Sequence, residues 1–152
     1  KSFKDMSKAK NMALADETVP VGQYTRKALI NAGLVSGDKE KANDLKDTDI
    51  SNALGGLEIN SCANVGAVAA AVAEGAEEVG TVYYSDTFGY EDNLEIIEKL
   101  PNSLTGDVIY PVASLKSDDI SDAEFNASNE FIKFMSEEKA VKLFEKYHFS
   151  MS

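Results

Sequence analysis

The chain has 152 residues, 43% of them apolar, enough to bury one ordinary domain or two small lobes. Its net charge of −11 argues against nucleic acid and anionic membrane surfaces as partners. One cysteine (Cys62) and one histidine (His148) exclude an internal disulfide and a cysteine-rich or multi-histidine metal site.

Asn11–Ala15 (NMALA) predicts a short apolar strand, and Asp16–Thr18 a polar turn. Pro20 stands at a first helical position, with Val21, Tyr24 and Ala28 following at helical spacing and Gly33 as the stop. Val35–Asn52 is charged and sparse in apolar residues, a loop with a short helix. Leu57–Asn60 predicts a strand. Val65, Val68, Ala69 and Val72 form an i, i+3, i+4, i+7 stripe ending at Gly75, a helix that Ser61 or Asn64 can cap. Val79–Tyr84, Leu94–Ile97 and Val108–Leu115 predict further strands. Phe131, Phe134 and Met135 make one helical stripe. Ser136 is expected to cap a last helix whose buried face is Ala140, Leu143, Phe144 and Tyr147. The alternation is that of an α/β fold, a central β-sheet flanked by helices. The longest apolar stretch, Val65–Ala73, is too short to span a bilayer.

Three places join a strand end to a helix start or a hydroxyl. At Pro20-Val21-Gly22-Gln23 the proline lacks an N–H, and the next three N–H groups are expected to be free to meet an anion that Gly22 admits close to the backbone. At Asn64-Val65-Gly66 small and polar residues again open a helix. At Tyr83-Tyr84-Ser85-Asp86 a tyrosine can offer its hydroxyl while Asp86 braces the loop. Ordinary capped helix starts and a packing tyrosine are the alternatives. Cys62 reads as a small packing residue, the carboxylates fall in solvated charge runs, and no nucleotide loop is present, so catalysis is not expected.

ALADETVPVGQYTRKALINAGL (Ala13–Leu34), NVGAVAAAVAEGAEEVGTVYYSDT (Asn64–Thr87), IYPVASLK (Ile109–Lys116) and FIKFMSEEKAVKLFEKYHF (Phe131–Phe149) together resemble the substrate-binding proteins of molybdate ABC transporters, in the family's order. The resemblance implies a type II periplasmic-binding-protein-like architecture. Residues 1–107 would be its second lobe. Residues 108–152 would be a hinge-crossing strand and C-terminal helices that pack on a first lobe lying outside this chain. It implies extracytoplasmic capture of molybdate or tungstate, without a cofactor, for a membrane permease, in a periplasm or lipid-anchored at the cell surface. It places the backbone donors on Val21 and Val65 and the hydroxyl donor on Tyr83, with Pro20, Gly22 and Asn64 in support. Val21 stands where the family has alanine, and Tyr147-His148-Phe149 where it has Tyr-Gly-Phe. Without a first lobe the C-terminal stripes are expected to favour self-association, and the site to bind molybdate weakly or not at all. A binding protein for sulfate or phosphate, or a ligand-sensing domain of a regulator, are the rival readings.

Overall fold

The computed structural model describes residues Lys1–Met151. They divide into two compact units, Lys1–Val108 and the residues from Ile109 onward. In the first unit β1 (Asn11–Ala15) is the middle strand of a parallel sheet, with β2 (Glu58–Cys62) on one side and β3 (Val79–Gly80) on the other. Met12 stands opposite Ile59 of β2 and Val79 of β3.

Alternation along β1 sorts its side chains to two faces. Met12 and Leu14 pack with Ala28 and Leu29 of α1 (Pro20–Asn31), with Ile50 of α2 (Asp47–Ala53) and with Leu54 just after it. Ala13 and Ala15 pack with Val68 of α3 (Val65–Ala73). Cover on both faces is why β1 reads as an unbroken apolar run. The α3 face is close-set: a Cβ on Gly80 would stand 2.8 Å from Val68 Cγ1 and 3.0 Å from Val72 Cγ2.

Helices α1 and α3 stop by the same device, which Gly55 and Gly56 repeat after α2. Gly33 (φ 70°) follows α1 and Gly75 (φ 75°) follows α3. The glycine N–H donates three residues back, to Ile30 (3.0 Å) and Val72 (3.0 Å). The following N–H donates five residues back, to Leu29 (3.0 Å) and Ala71 (2.9 Å). This arrangement satisfies the last free carbonyls of each helix.

The structure departs from expectation where a strand would need a neighbour. β3 is two residues long rather than running to Tyr84, because past Gly80 Thr81 turns to α1 and a 3-10 turn follows at Tyr84–Thr87. Residues 94–97 and 108–115 form no strand. Neither segment pairs with a strand among the described residues, and β-rich composition alone does not make a strand. The charged stretch after Val35 holds a 3-10 turn at Lys39–Asp44 and α2. The short α4 (Asn102–Thr105) brings Leu104 against the α1 side of the core.

The second unit holds α5 (Asp122–Met135) and α6 (Glu138–Lys146). Ser121 and Glu124 cap α5 reciprocally: the Glu124 N–H donates to Ser121 Oγ (3.3 Å) and the Ser121 N–H to Glu124 Oε2 (2.9 Å). Ser136 keeps helical angles and closes α5, so the extended capping position of α6 falls on Glu137 instead. Of the face expected to be buried on α6, Ala140 is buried, while Leu143 is 56% exposed and Tyr147 41%. Two helices alone cannot enclose both stripes.

The end of α6 repeats the glycine stop without a glycine. His148 N–H donates to Glu145 (3.0 Å) and Phe149 N–H to Phe144 (3.0 Å), with His148 at φ 65°. A side chain in that left-handed region costs about 1–2 kcal/mol, part of which glycine would return as unfolded-state freedom. His148→Gly is expected to stabilise this unit by about 0.5–1 kcal/mol. Urea unfolding would show a higher midpoint at unchanged slope, and an unchanged or lower midpoint would contradict the assignment.

Candidate functional site

Every connection of interest leaves the carboxyl edge of the sheet. β1 ends at Ala15 and leads to the first turn of α1, β2 ends at Cys62 and leads to α3, and β3 ends at Gly80, three residues before Tyr83. The strand order β2-β1-β3 reverses direction at β1, and such reversals open a crevice at the carboxyl ends of parallel strands. Val21 is buried with Ala13, Ala15 and Val68, and Val65 and Tyr83 pack against the same cluster. The three positions, far apart in sequence, meet at one edge.

At α1, Pro20 has no N–H to give, and the Val21 and Gly22 N–H groups have no hydrogen-bond partner among the described residues. Gln23 is not a third free donor, because its N–H donates to the Val19 carbonyl at 3.1 Å. At α3, Asn64 is the cap, its Oδ1 accepting from the Ala67 N–H at 2.9 Å. Ser61 lies within β2. Val65 and Gly66 keep their N–H groups without partners among the described residues. Each helix therefore presents two open N–H groups at the positive end of its dipole, an arrangement suited to an anion.

Gly22 also has a packing role. A Cβ there would lie 2.2 Å from the Asp16 carbonyl oxygen and 2.3 Å from that of Ala15. Its missing side chain lets the first turn of α1 sit on the end of β1. The Asp16 N–H then donates to the Cys62 carbonyl at 2.9 Å, carrying the β1–β2 pairing one step beyond the strands.

Arg26 underlies this edge and was not among the residues singled out by sequence. Its side chain is fully buried. Nη1 donates to the carbonyls of Ala15 (2.9 Å) and Gly22 (3.0 Å), and Nε to that of Leu45 (2.9 Å). Nη2 meets Asp47 Oδ1 at 2.5 Å, with Glu17 at 4.0 Å. A signal existed in the sequence: Arg26 lies four residues after Gly22 and three before Leu29, on the core-facing side of the helix. Its neighbour Thr25 donates to the Val21 carbonyl at 2.7 Å, so the 2.7 Å contact between the Thr25 and Thr81 hydroxyls has Thr81 as donor. That contact ties α1 to the segment leading to Tyr83.

Two acids near the site, Asp16 and Glu17, are engaged elsewhere. The Thr18 amide and hydroxyl hold the Asp16 carboxyl below its ordinary value, and Lys46 does the same for Glu17 through a 2.8 Å ion pair. Burial, then the Glu77 charge, pushes the Cys62 thiol up, away from the thiolate a nucleophile needs. Burial raises the Asp86 carboxyl, whose Oδ2 has no partner among the described residues. The Tyr83 ring stands edge-on to Tyr24 with centroids 6.2 Å apart, and Tyr24 Oη donates to the Asp107 carbonyl at 3.4 Å. Tyr84 lies instead beneath Lys99, whose Nζ is 3.3 Å from the ring centroid. A cavity of about 280 Å³ beside α1, lined by Pro20, Gln23, Tyr24 and Lys27 among others, includes neither Val65 nor Tyr83. The edge itself is open. Among the described residues no cluster of His, Cys, Asp and Glu could hold a metal ion, and no helix is long and apolar enough to cross a membrane.

A profile of bacterial extracellular solute-binding proteins matches residues 1–150. The chain belongs to this family. A search of curated proteins gave no match. Among solved structures, the chain is similar to a substrate binding domain assigned to a molybdenum ABC transporter from Clostridium difficile, at 27% identity and a TM-score of 0.73. The match covers 99% of this chain and 58% of that one. In this solute-binding protein the seat of α1 on β1 is a packing requirement. Gly22→Ala is therefore expected to destabilise the first unit by about 1–3 kcal/mol or more. Gly66→Ala, whose Cβ would lie 3.3 Å from Asn64 Oδ1, is expected to be far milder. Thermal unfolding of the two variants checks this, and equal effects would contradict it.

Proposed function

We propose that the chain contributes the carboxyl-edge half of a cleft that captures a tetrahedral oxyanion, molybdate or tungstate, for an ABC importer. The supporting observation is the convergence of two helix starts, each with two open N–H groups, and Tyr83 on one sheet edge. The chain's membership in an extracellular solute-binding family and its similarity to a domain assigned to a molybdenum transporter point the same way.

The mechanism is binding. A dianion settling at the edge would exchange its water for the N–H groups of Val21, Gly22, Val65 and Gly66, with the Tyr83 hydroxyl as a further donor. All are neutral, so each must find an acceptor oxygen, which selects for charge state and size. Neutral donors also release their cargo readily to a membrane permease. The donors of this chain form one side of the cleft only, so its own affinity is expected to be weak.

Calorimetry with sodium molybdate separates backbone from side-chain donation. Val65→Ala is expected to change affinity little, whereas Val65→Pro removes the donor and costs about 1.5–3 kcal/mol. Tyr83→Phe is expected to cost a similar amount, roughly 1.5–3 kcal/mol, with Tyr84→Phe silent. Equal effects of alanine and proline at Val65 would contradict the backbone account. Tighter binding of sulfate or phosphate than of molybdate would keep the site and change the cargo.

A further inference from the structure

Resting on that reading, we propose that Arg26 sets the affinity of the oxyanion site electrostatically, as a positioning residue that never touches the anion. Its side chain has no exposure, and its donors are committed to three carbonyls and a carboxylate, so it has no freedom to reach a ligand. Two of those carbonyls, Ala15 and Gly22, are the end of β1 and the first turn of α1. The guanidinium is wedged between the strand end and the turn that bears the open N–H groups.

A cation in that place is unfavourable by itself. It lies against the positive end of a helix dipole, where anions are stabilised and cations are not. A purely mechanical brace could be a neutral donor. The charge is opposed by Asp47 and, more distantly, by Glu17, which it shares with Lys46 at 2.8 Å. Both carboxylates reach solvent, at 28% and 31% exposure, whereas the guanidinium does not. The positive charge therefore acts on the α1 amides through protein, where charges interact more strongly than through water. Asp47 is the counter-charge that tempers it.

The test uses opposite signs. Sodium molybdate is titrated into the wild-type chain and its variants, followed by amide shifts so that weak binding is measurable. Arg26→Met is expected to weaken binding by about tenfold, and Arg26→Lys, which keeps the charge, by less than about threefold. Asp47→Asn keeps an acceptor oxygen for Nη2 but removes the counter-charge, and is expected to tighten binding by about threefold. Asp49→Asn, exposed on the same helix, should leave it unchanged. If Arg26→Met does not fold, Asp47→Asn against Asp49→Asn decides. Tightening confined to Asp47→Asn supports the proposal. Weaker or unchanged binding in Asp47→Asn, or equal tightening in both, overturns it and leaves the oxyanion reading standing. A wild-type chain with no response to molybdate overturns that reading, and this proposal with it.

Discussion

The first turn of α1 rests directly on the end of β1, where Gly22 leaves no room for a side chain and the Arg26 guanidinium bonds the carbonyls on both sides of the contact. Much of the first unit follows from that seat. It sets where the Val21 and Gly22 amides lie, and through Thr25 and Thr81 it holds the segment that leads to Tyr83. The Asp16 to Cys62 hydrogen bond carries the same constraint to the start of α3. A chain of short contacts thus links three donor-bearing places that no single element could bring together.

An acidic chain is an unexpected place for an anion, and the local arrangement resolves the conflict. The distant carboxylates are screened beyond about 8–10 Å at physiological salt, whereas helix ends act at contact distance. At the α1 end of the edge Asp16 is satisfied by Thr18 and Glu17 by Lys46, and burial favours the neutral form of Asp86. Net charge then bears on solubility and on the partners the surface repels, while the edge answers to its own dipoles.

The parts legible in the sequence were those with local signals. Pro20 and Gly33 bracket α1, and the valine and alanine stripe with Gly75 marks α3, because first-turn proline, left-handed glycine and helical spacing each leave a mark within a few residues. Strand-to-helix junctions and family resemblance together single out Val21, Val65 and Tyr83, and the structure packs all three in one cluster. The strands expected around residues 94–97 and 108–115 were not recoverable, since β-propensity cannot say whether an edge is available to pair with. The packing role of Gly22 was not legible, because the same missing side chain serves a ligand or a strand end, and only geometry shows the second. Arg26 escaped because its partners at Leu45 and Asp47 come from a distant segment.

Four backbone amides at two helix starts carry the proposed oxyanion site. Titrating sodium molybdate into the isotope-labelled chain and following its amide resonances tests this directly. The amides of Val21, Gly22, Val65 and Gly66 should move most and along one saturating curve, while those of the lysine-bearing surface of α6 stay still. Shifts centred on surface lysines, or movement of one helix start without the other, would contradict it.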